Sequence, residues 1–252
     1  MTTGVSIIIP TLNEAKSIES TLIYLQILAP PATEIIIVDG KSKDATLSLV
    51  QDFIYHHSLQ SIIKCISTSP SRSQQMNKGA KIATGEYLCF LHADTYVPSD
   101  LIMIIRKILF DPTIAGGGFI SIMRGESITR WVISLHNFLK TYYTPLLFRP
   151  NLFFTKGLRI LFGDQVMFCR RQDFLNCGGF DANLPIMEEA DLCLRLCQYG
   201  RLKQVNRIVE SSDRRVAKWG AWKAHFIYLM IGFLWGMGVS AQWLKQFYDD
   251  IR

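Results

Sequence analysis

The sequence predicts an α/β fold in which helices flank a doubly wound, mostly parallel sheet, followed by a hydrophobic helical segment at the C-terminus. Continuous apolar runs at residues 5–9 and 35–38 are typical of strands buried on both faces of a parallel sheet. Between them, apolar residues recur at helical spacing over residues 14–28. Strand, helix and strand together indicate a right-handed crossover unit.

The same alternation continues along the chain. Asn13 and Asp44 are predicted to cap the first two helices. Further strands are predicted at residues 62–66, 87–91, 116–123, 160–170 and 203–209. Further helices are predicted at residues 44–59, 72–83, 99–110 and 188–199, with a partly helical aromatic segment at 128–154. We expect residues 1–210 to form one domain and residues 211–252 a hydrophobic or amphipathic helical tail.

Composition excludes several classes of protein. Of the 252 residues 49% are hydrophobic and 19% are charged, so long disordered segments are not expected. The net charge of +6 fits a nucleotide or an anionic membrane surface, but the basic residues are too scattered for a nucleic-acid interface. The six cysteines form no CxxC pair, which favours reduced, buried thiols in a cytosolic protein. The N-terminus does not resemble a signal peptide.

Polar residues follow three of the predicted strands. Pro10 and Glu14 follow the first strand, Asp39 the second, and His92 and Asp94 the fourth. Ligands of open parallel sheets bind outside the carboxyl ends of the strands. We therefore expect these residues to meet in one crevice.

Each of these positions has a structural alternative. Asp39 is interpreted as a hydrogen-bond acceptor for a base or ribose, although it could instead cap the following turn. Arg72, at a helix start, suits a phosphate, and a solvated basic face is the alternative. Asp94 is the strongest metal candidate, because Mg²⁺ and Mn²⁺ favour carboxylates combined with substrate phosphates. His92 is interpreted as a hydrogen-bonded neighbour rather than a metal ligand.

Three carboxylates open the predicted helix at residues 188–199, namely Glu188, Glu189 and Asp191. Negative charge there is favourable with the helix dipole, which is a purely structural explanation. The functional interpretation is a general base that removes a hydroxyl proton. The sequence pattern alone does not decide between the helix-dipole explanation and the general base.

Taken in order, the segments resemble the family 2 glycosyltransferases of the GT-A fold. The resemblance covers about residues 5–201 and is carried by VSIIIPTLNE, IIIVDGKSKDAT, SRSQQMNKGAKIATGEYLCFLHADT, FGDQVMFCRR and CGGFDANLPIMEEADLCLRLCQYGR. The HAD and FGDQ segments look most like a bacterial subgroup of small, stand-alone members. The resemblance implies a nucleotide-sugar donor, a divalent metal (Mg²⁺ or Mn²⁺) and inversion at the anomeric carbon.

The resemblance also implies roles on the donor side. Pro10, Glu14 and Asp39 match positions that hold the nucleoside, and Arg72 matches a basic position near the donor. Asp94 matches the last Asp of the DxD motif, which binds metal and diphosphate. His92 stands where that motif has its first acid, so a usual ribose or metal contact is lost or altered.

On the acceptor side, Glu189 matches the catalytic base and Glu188 the residue before it. The base is Asp in the family, so the longer Glu leaves the choice between Glu188 and Glu189 open. Asp164, Gln165 and Asp191 are assigned to the acceptor side. Arg214 and Arg215 faintly resemble an Arg-Trp motif of processive synthases, but QxxRW is absent, so processivity is not supported.

The predicted function is therefore an inverting, metal-assisted glycosyltransferase with a carboxylate base. A nucleotidyltransferase is the enzymatic alternative, although TLNE lacks the Gly-rich basic loop that such an enzyme would place after its first strand. A non-catalytic nucleotide-sugar-binding protein associated with a membrane is the other alternative, since the DxD motif is altered.

The tail leaves three alternatives open. Residues 224–244 contain no Asp, Glu, Lys or Arg and approach the ~20 apolar residues of a membrane span. Flanking Trp and Lys residues favour peripheral membrane contact, ahead of a buried helix and of a true span. A lipid-linked or hydrophobic acceptor would follow. The expected location is the cytoplasm, with peripheral attachment to the inner face of the cell membrane, and a homodimer stays open.

Overall fold

The computed structural model describes residues 3–125 and 128–248, and within them eight strands form one sheet. The strands are β1 (Val5–Thr11), β2 (Glu34–Asp39), β3 (Ile63–Ser67), β4 (Tyr87–Phe90), β5 (Thr95–Tyr96), β6 (Ile114–Arg124), β7 (Phe168–Arg170) and β8 (Arg201–Ser212). Their order across the sheet is β3-β2-β1-β4-β7-β6-β8-β5. Only β7 and β5 run antiparallel to their described neighbours, which confirms the predicted α/β class.

The helices alternate with the strands in the first half of the chain, and the later ones are less regular. The described helices are α1 (Ile18–Gln26), α2 (Thr46–His56), α3 (Arg72–Ile82), α4 (Leu101–Leu109), α5 (Trp131–Phe148), α6 (Pro150–Thr155), α7 (Arg171–Asn176), α8 (Glu188–Leu196), α9 (Arg214–Trp219), α10 (Ala221–Gly236) and α11 (Ala241–Leu244).

The core lies on both faces of the sheet, as the uninterrupted apolar strands predict. Side chains of a strand alternate between faces, so Ile7 and Ile9 of β1 pack into one buried cluster and Ile8 into another. Helices α1, α2 and α4 contribute to the first cluster, and α3, α7 and α8 to the second. Each fully buried Ile stabilises the fold by about 1.5–3 kcal/mol.

Two local predictions were wrong. Of the strand predicted at residues 160–170 only β7 forms, because a 3-10 turn at Gly163–Gln165 ends in Val166 with a left-handed φ of 51°. Asn13 does not cap α1, which begins five residues later. Asn13 itself has a φ of 56°, and its side chain accepts a hydrogen bond from the Lys43 amide at 2.8 Å.

The tail packs on the rest of the chain. Helix α10 lies against α5, and Ile231 and Leu244 of the tail share a buried cluster with Ile186 from the loop before α8. Among the helices described, none combines the length and the apolar character that crossing a bilayer requires. The predicted boundary between a domain at residues 1–210 and a tail at residues 211–252 stays a prediction. Residues 1–2, 126–127 and 249–252 lie outside the described part of the chain.

Glu34 links β1, β3 and the loop before β4 at the end of the sheet that lies opposite the predicted site. Its buried carboxylate accepts hydrogen bonds from Ser6 Oγ at 2.7 Å, the Thr84 amide at 2.6 Å and Lys64 Nζ at 2.6 Å. Burial opposes ionisation, but the hydrogen bonds from Lys64, Thr84 and Ser6 outweigh it and lower the pKa of Glu34 to about 2. The charged form is therefore part of the folded structure.

We expect Glu34→Gln to lower the free energy of unfolding by about 2–3 kcal/mol at pH 7. A lowered pKa stabilises the fold above the ordinary pKa of a Glu, and this stabilisation is lost as the pH falls toward 2. The cost of the substitution should therefore be smaller at pH 3 than at pH 7 in denaturant titrations. Glu86→Gln, at an exposed position, is the matched control. An equal cost at both pH values would contradict the assignment.

Candidate functional site

A cavity of about 470 Å³ opens at the carboxyl ends of β1, β4 and β8. It gathers segments that are far apart in sequence: the strand ends, the start of α3, the turn at Gly163–Gln165, the start of α8, and parts of α5 and α10. The predicted site residues that line it are Pro10, Glu14, Arg72, His92, Asp94, Asp164, Glu188 and Glu189. The structure therefore brings most of the predicted site together.

Asp39 is the main predicted residue that does not line the cavity in the described part of the chain. Its carboxylate is fully buried and accepts hydrogen bonds from Thr11 Oγ1 at 3.2 Å and the Ser42 amide at 2.9 Å. These contacts stabilise the turn after β2, as the alternative interpretation of Asp39 required. Its role toward a nucleoside stays a prediction.

Two residues predicted for the acceptor side, Gln165 and Asp191, also bind other side chains in the described part of the chain. Gln165 is fully buried, and its Nε2 donates to Thr141 Oγ1 at 3.0 Å. Asp191 forms an ion pair with Arg195 at 2.6 Å, one turn further along α8. Neither residue is among those that line the cavity in the described part of the chain, and their part in acceptor binding stays a prediction.

One side of the cavity is organised by Arg214, the first residue of α9. Its guanidinium lies 3.0 Å from Glu14 Oε2 and 2.7 Å from Asp94 Oδ2. Glu14 follows β1 and Asp94 follows β4, so one cation from the tail joins two strand ends. In the sequence, Arg214 stands out only as part of an incomplete Arg-Trp motif.

The two glutamates at the start of α8 face the cavity from a strained backbone. Met187, the residue before Glu188, has a left-handed φ of 66°, which is unfavourable for a side chain of this size. Burial and the neighbouring charge of Glu188 raise the pKa of Glu189, Arg72 lowers it, and together these effects bring it to about 8. The Arg72 guanidinium lies 3.8 Å from Glu189 Oε1. Glu189 therefore takes up a proton at a higher pH than an ordinary glutamate.

His92 and Glu189 approach each other around Gly163. A methyl group at Gly163 would come within 2.6 Å of both His92 Nε2 and Glu189 Oε1, so only glycine fits there. Burial and the charge of Arg72 hold the pKa of His92 well below its usual range. Its buried Nε2 has no hydrogen-bond partner among the described residues. A neutral imidazole therefore lies close to the carboxylate of Glu189.

Lys140 is a site residue that sequence analysis missed. This buried amine of α5 lies 3.7 Å from the centre of the Phe162 ring. Burial lowers the pKa of Lys140 more than the charges of Asp164 and Glu189 raise it, which brings the pKa to about 8. Burial raises the pKa of Asp164, whose Oδ2 accepts from Asn137 Nδ2 at 3.0 Å. No motif marked Lys140, because it lies within an aromatic helix.

The tail contributes further residues that only the structure reveals. Tyr228 of α10 and Tyr248 both line the cavity. Arg215 donates a hydrogen bond to the Tyr248 hydroxyl and lies 4.3 Å from the centre of its ring. The adjacent arginines after β8 were the one sequence signal that pointed to this region.

The donor set fits a divalent cation only in combination with a substrate. Within the described ranges, no group of three or more His, Cys, Asp or Glu side chains could hold a metal by itself. Mg²⁺ at nucleotide sites is commonly held by one or two carboxylates together with substrate phosphates. Asp94, which faces the cavity, could supply such a carboxylate.

Comparison with known proteins identifies relatives over most of the chain. The family model described as Glycosyl transferase family 2 matches residues 6–179. The poly-beta-1,6-N-acetyl-D-glucosamine synthase of Staphylococcus epidermidis is 30% identical over 97 residues, which are 38% of this chain and 23% of that protein.

A second relative is the dolichyl N-acetyl-alpha-D-glucosaminyl phosphate 3-beta-D-2,3-diacetamido-2,3-dideoxy-beta-D-glucuronosyltransferase of Methanococcus voltae. It is 28% identical over 207 residues, which are 73% of this chain and 62% of that protein. The chain therefore spans less than two thirds of the length of either relative.

A solved structure shares the fold. The mannosyltransferase PcManGT from Pyrobaculum calidifontis, in complex with GDP-Man and Mn²⁺, superposes with a TM-score of 0.70 at 21% identity. The match covers 95% of this chain and 66% of that one. This similarity supports the mixed α/β architecture described above.

We expect Glu189→Gln to stabilise the protein, and more so at pH 9 than at pH 5. A raised carboxyl pKa favours the fold below the ordinary pKa of a Glu, and this contribution is lost as the pH rises toward 8. The uncharged Gln avoids that loss, so its advantage should grow with pH in denaturant titrations. The matched control is Glu19→Gln, at an exposed position of α1. An advantage that does not change with pH would contradict the burial of this charge.

Proposed function

We propose that this chain, which belongs to glycosyl transferase family 2, moves a sugar from a nucleotide-diphosphate sugar to an acceptor hydroxyl with inversion at the anomeric carbon. The observation that carries the proposal is one cavity with a cation-paired carboxylate, Asp94, on one side and a buried, proton-accepting carboxylate, Glu189, on the other. Transfer of a sugar from a diphosphate to a hydroxyl needs charge neutralisation at the diphosphate and a group that takes the proton of the hydroxyl.

The donor side suits a diphosphate. Arg72, Arg214, Arg215 and Lys245 all line the cavity, and fixed cations stabilise the charge that develops on a departing diphosphate. Pro10 and Glu14, at the end of β1, are proposed to contact the nucleoside. A divalent cation, Mg²⁺ or Mn²⁺, would add charge neutralisation at the diphosphate, with Asp94 as its protein ligand.

Glu189 is proposed as the general base. It removes the proton of the acceptor hydroxyl, whose oxygen then forms a bond to the anomeric carbon from the side opposite the leaving group. The bond from that carbon to the diphosphate oxygen breaks, and the electron pair leaves with the diphosphate. A base with a pKa near the working pH is the most efficient, and burial supplies that pKa. Glu188 supports this by raising the pKa of its neighbour.

Peripheral membrane contact is proposed for the outer face of α5 and α10. The exposed large apolar side chains there form what we term the apolar face: Trp131, Val132, Leu135, Leu139, Trp222, Phe226, Leu229, Phe233 and Met237. Lys223 is exposed on the same helix, which suits an anionic lipid surface. This contact would hold the chain at the inner face of the cell membrane.

A lipid-linked or hydrophobic acceptor follows from the same two helices. Asn137 and Lys140 of α5 and Tyr228 and Ile231 of α10 line the cavity, while the apolar face of these helices is turned outward. An acceptor whose tail stays in the membrane would have its polar end beside Lys140 and Asp164. The name of the Methanococcus voltae relative, which includes a dolichyl phosphate, supports this class of acceptor.

We expect Glu189→Gln to lower the rate of sugar transfer by about 10²–10⁴-fold while nucleotide-sugar binding is kept. Gln has nearly the same shape but cannot take the proton. Transfer would be measured as release of nucleoside diphosphate with membrane-extracted acceptors, and binding by calorimetry. Glu19→Gln, on the surface of α1, is the matched control. A fully active Glu189→Gln variant would exclude Glu189 as the base.

We expect the double substitution Trp222→Ser and Phe226→Ser to reduce flotation with vesicles that contain anionic lipid. These side chains are 85% and 68% exposed, so the change removes apolar area from the membrane contact without opening the core. Phe110→Ser, which removes an 86% exposed ring at the end of α4, should leave flotation unchanged. Equal flotation of all three proteins would reject the proposed contact.

A further inference from the structure

Arg214 is the cationic partner of two carboxylates, Glu14 and Asp94, at the proposed donor side of the cavity. One nitrogen donates to Asp94 Oδ2 at 2.7 Å and to Glu14 Oε1 at 3.1 Å, and the other lies 3.0 Å from Glu14 Oε2. Glu14 and Asp94 are mostly buried, with side-chain exposures of 12% and 18%. Such charge-assisted, forked contacts are among the stronger hydrogen bonds in proteins.

A guanidinium at this place competes with a metal ion. Arg214 already contacts one oxygen of the Asp94 carboxylate, and a divalent cation on the same carboxylate would lie close enough to the guanidinium to be repelled by it. A free metal ion would therefore bind Asp94 against this repulsion, or displace the guanidinium so that Arg214 keeps Glu14 but loses Asp94 as a partner. A diphosphate changes this balance, because it offers the displaced guanidinium new anionic oxygens in the same cavity.

We propose that Arg214 is a positioning residue that reserves Asp94 for a metal ion that arrives together with the donor diphosphate. The inference rests on the proposed function, since it concerns the order in which the ligands of that site bind. Arg214 is the first residue of α9, two residues after the end of β8, and its side chain is 40% exposed, so it has room to turn toward a ligand. Metal and diphosphate then strengthen each other's binding by the same factor.

The test is a titration of the full chain with Mn²⁺ alone, followed by the electron paramagnetic resonance of the unbound ion. Wild type should bind Mn²⁺ weakly, and Arg214→Gln should bind it about tenfold more tightly, because Asp94 is released. In the presence of UDP or GDP the wild-type affinity for Mn²⁺ should rise, and this rise should be smaller in Arg214→Gln. A residue that served only the fold would not increase metal affinity when replaced.

Two further variants make the test specific. Arg207→Gln removes an arginine of the preceding strand, β8, that pairs with Asp100 away from the cavity, and it should leave Mn²⁺ binding unchanged. Arg214→Gln combined with Asp94→Asn should lose the gain. If Arg214→Gln proves unstable, Arg214→Lys, which keeps the charge without the planar fork, should show a smaller increase.

The inference is overturned if Arg214→Gln binds Mn²⁺ no more tightly than wild type, or if the gain survives Asp94→Asn. Neither result bears on the sugar transfer assay with Glu189→Gln. A protein that binds and transfers the sugar without any metal dependence would keep the proposed function and reject only the role of Arg214.

Discussion

Charge balance within one cavity is the constraint on which the rest of the site depends. Carboxylates from the ends of β1 and β4, from the turn before β7 and from the start of α8 converge there. Burying such charges without partners would cost several kcal/mol each. The chain meets this cost with cations from other segments: Arg214 between Glu14 and Asp94, and Arg72 near Glu189. The tail is therefore part of the site.

The sequence predicted well the features that depend on local pattern. Apolar runs predict the central strands, and the rule that ligands bind at strand ends predicts that Glu14 and Asp94 lie at one cavity, as they do. The base candidate Glu189 came from the resemblance to a family. The prediction of one continuous strand at residues 160–170 was wrong. The apolar residues of this segment are typical of a strand, but Val166 adopts a left-handed conformation that turns the chain.

Long-range packing explains the residues that pattern did not find. Lys140 lies in the middle of an aromatic helix, and its role appears only when α5 brings it beside Asp164 and Phe162. Arg214 is separated from Glu14 by two hundred residues of chain. Asp39 shows a different limit of the pattern, since this strand-end carboxylate accepts hydrogen bonds from Thr11 and Ser42, and its role toward a nucleoside stays a prediction.

The left-handed backbone at Met187 has a consequence for how this sequence can change. A non-glycine residue in that conformation costs on the order of 1–3 kcal/mol, held in place here by packing of Met187 against the tail. A glycine at position 187 would remove the backbone strain, but it would also make the backbone that positions Glu188 and Glu189 more flexible. Selection for robustness and selection for catalytic precision thus pull this single position in opposite directions.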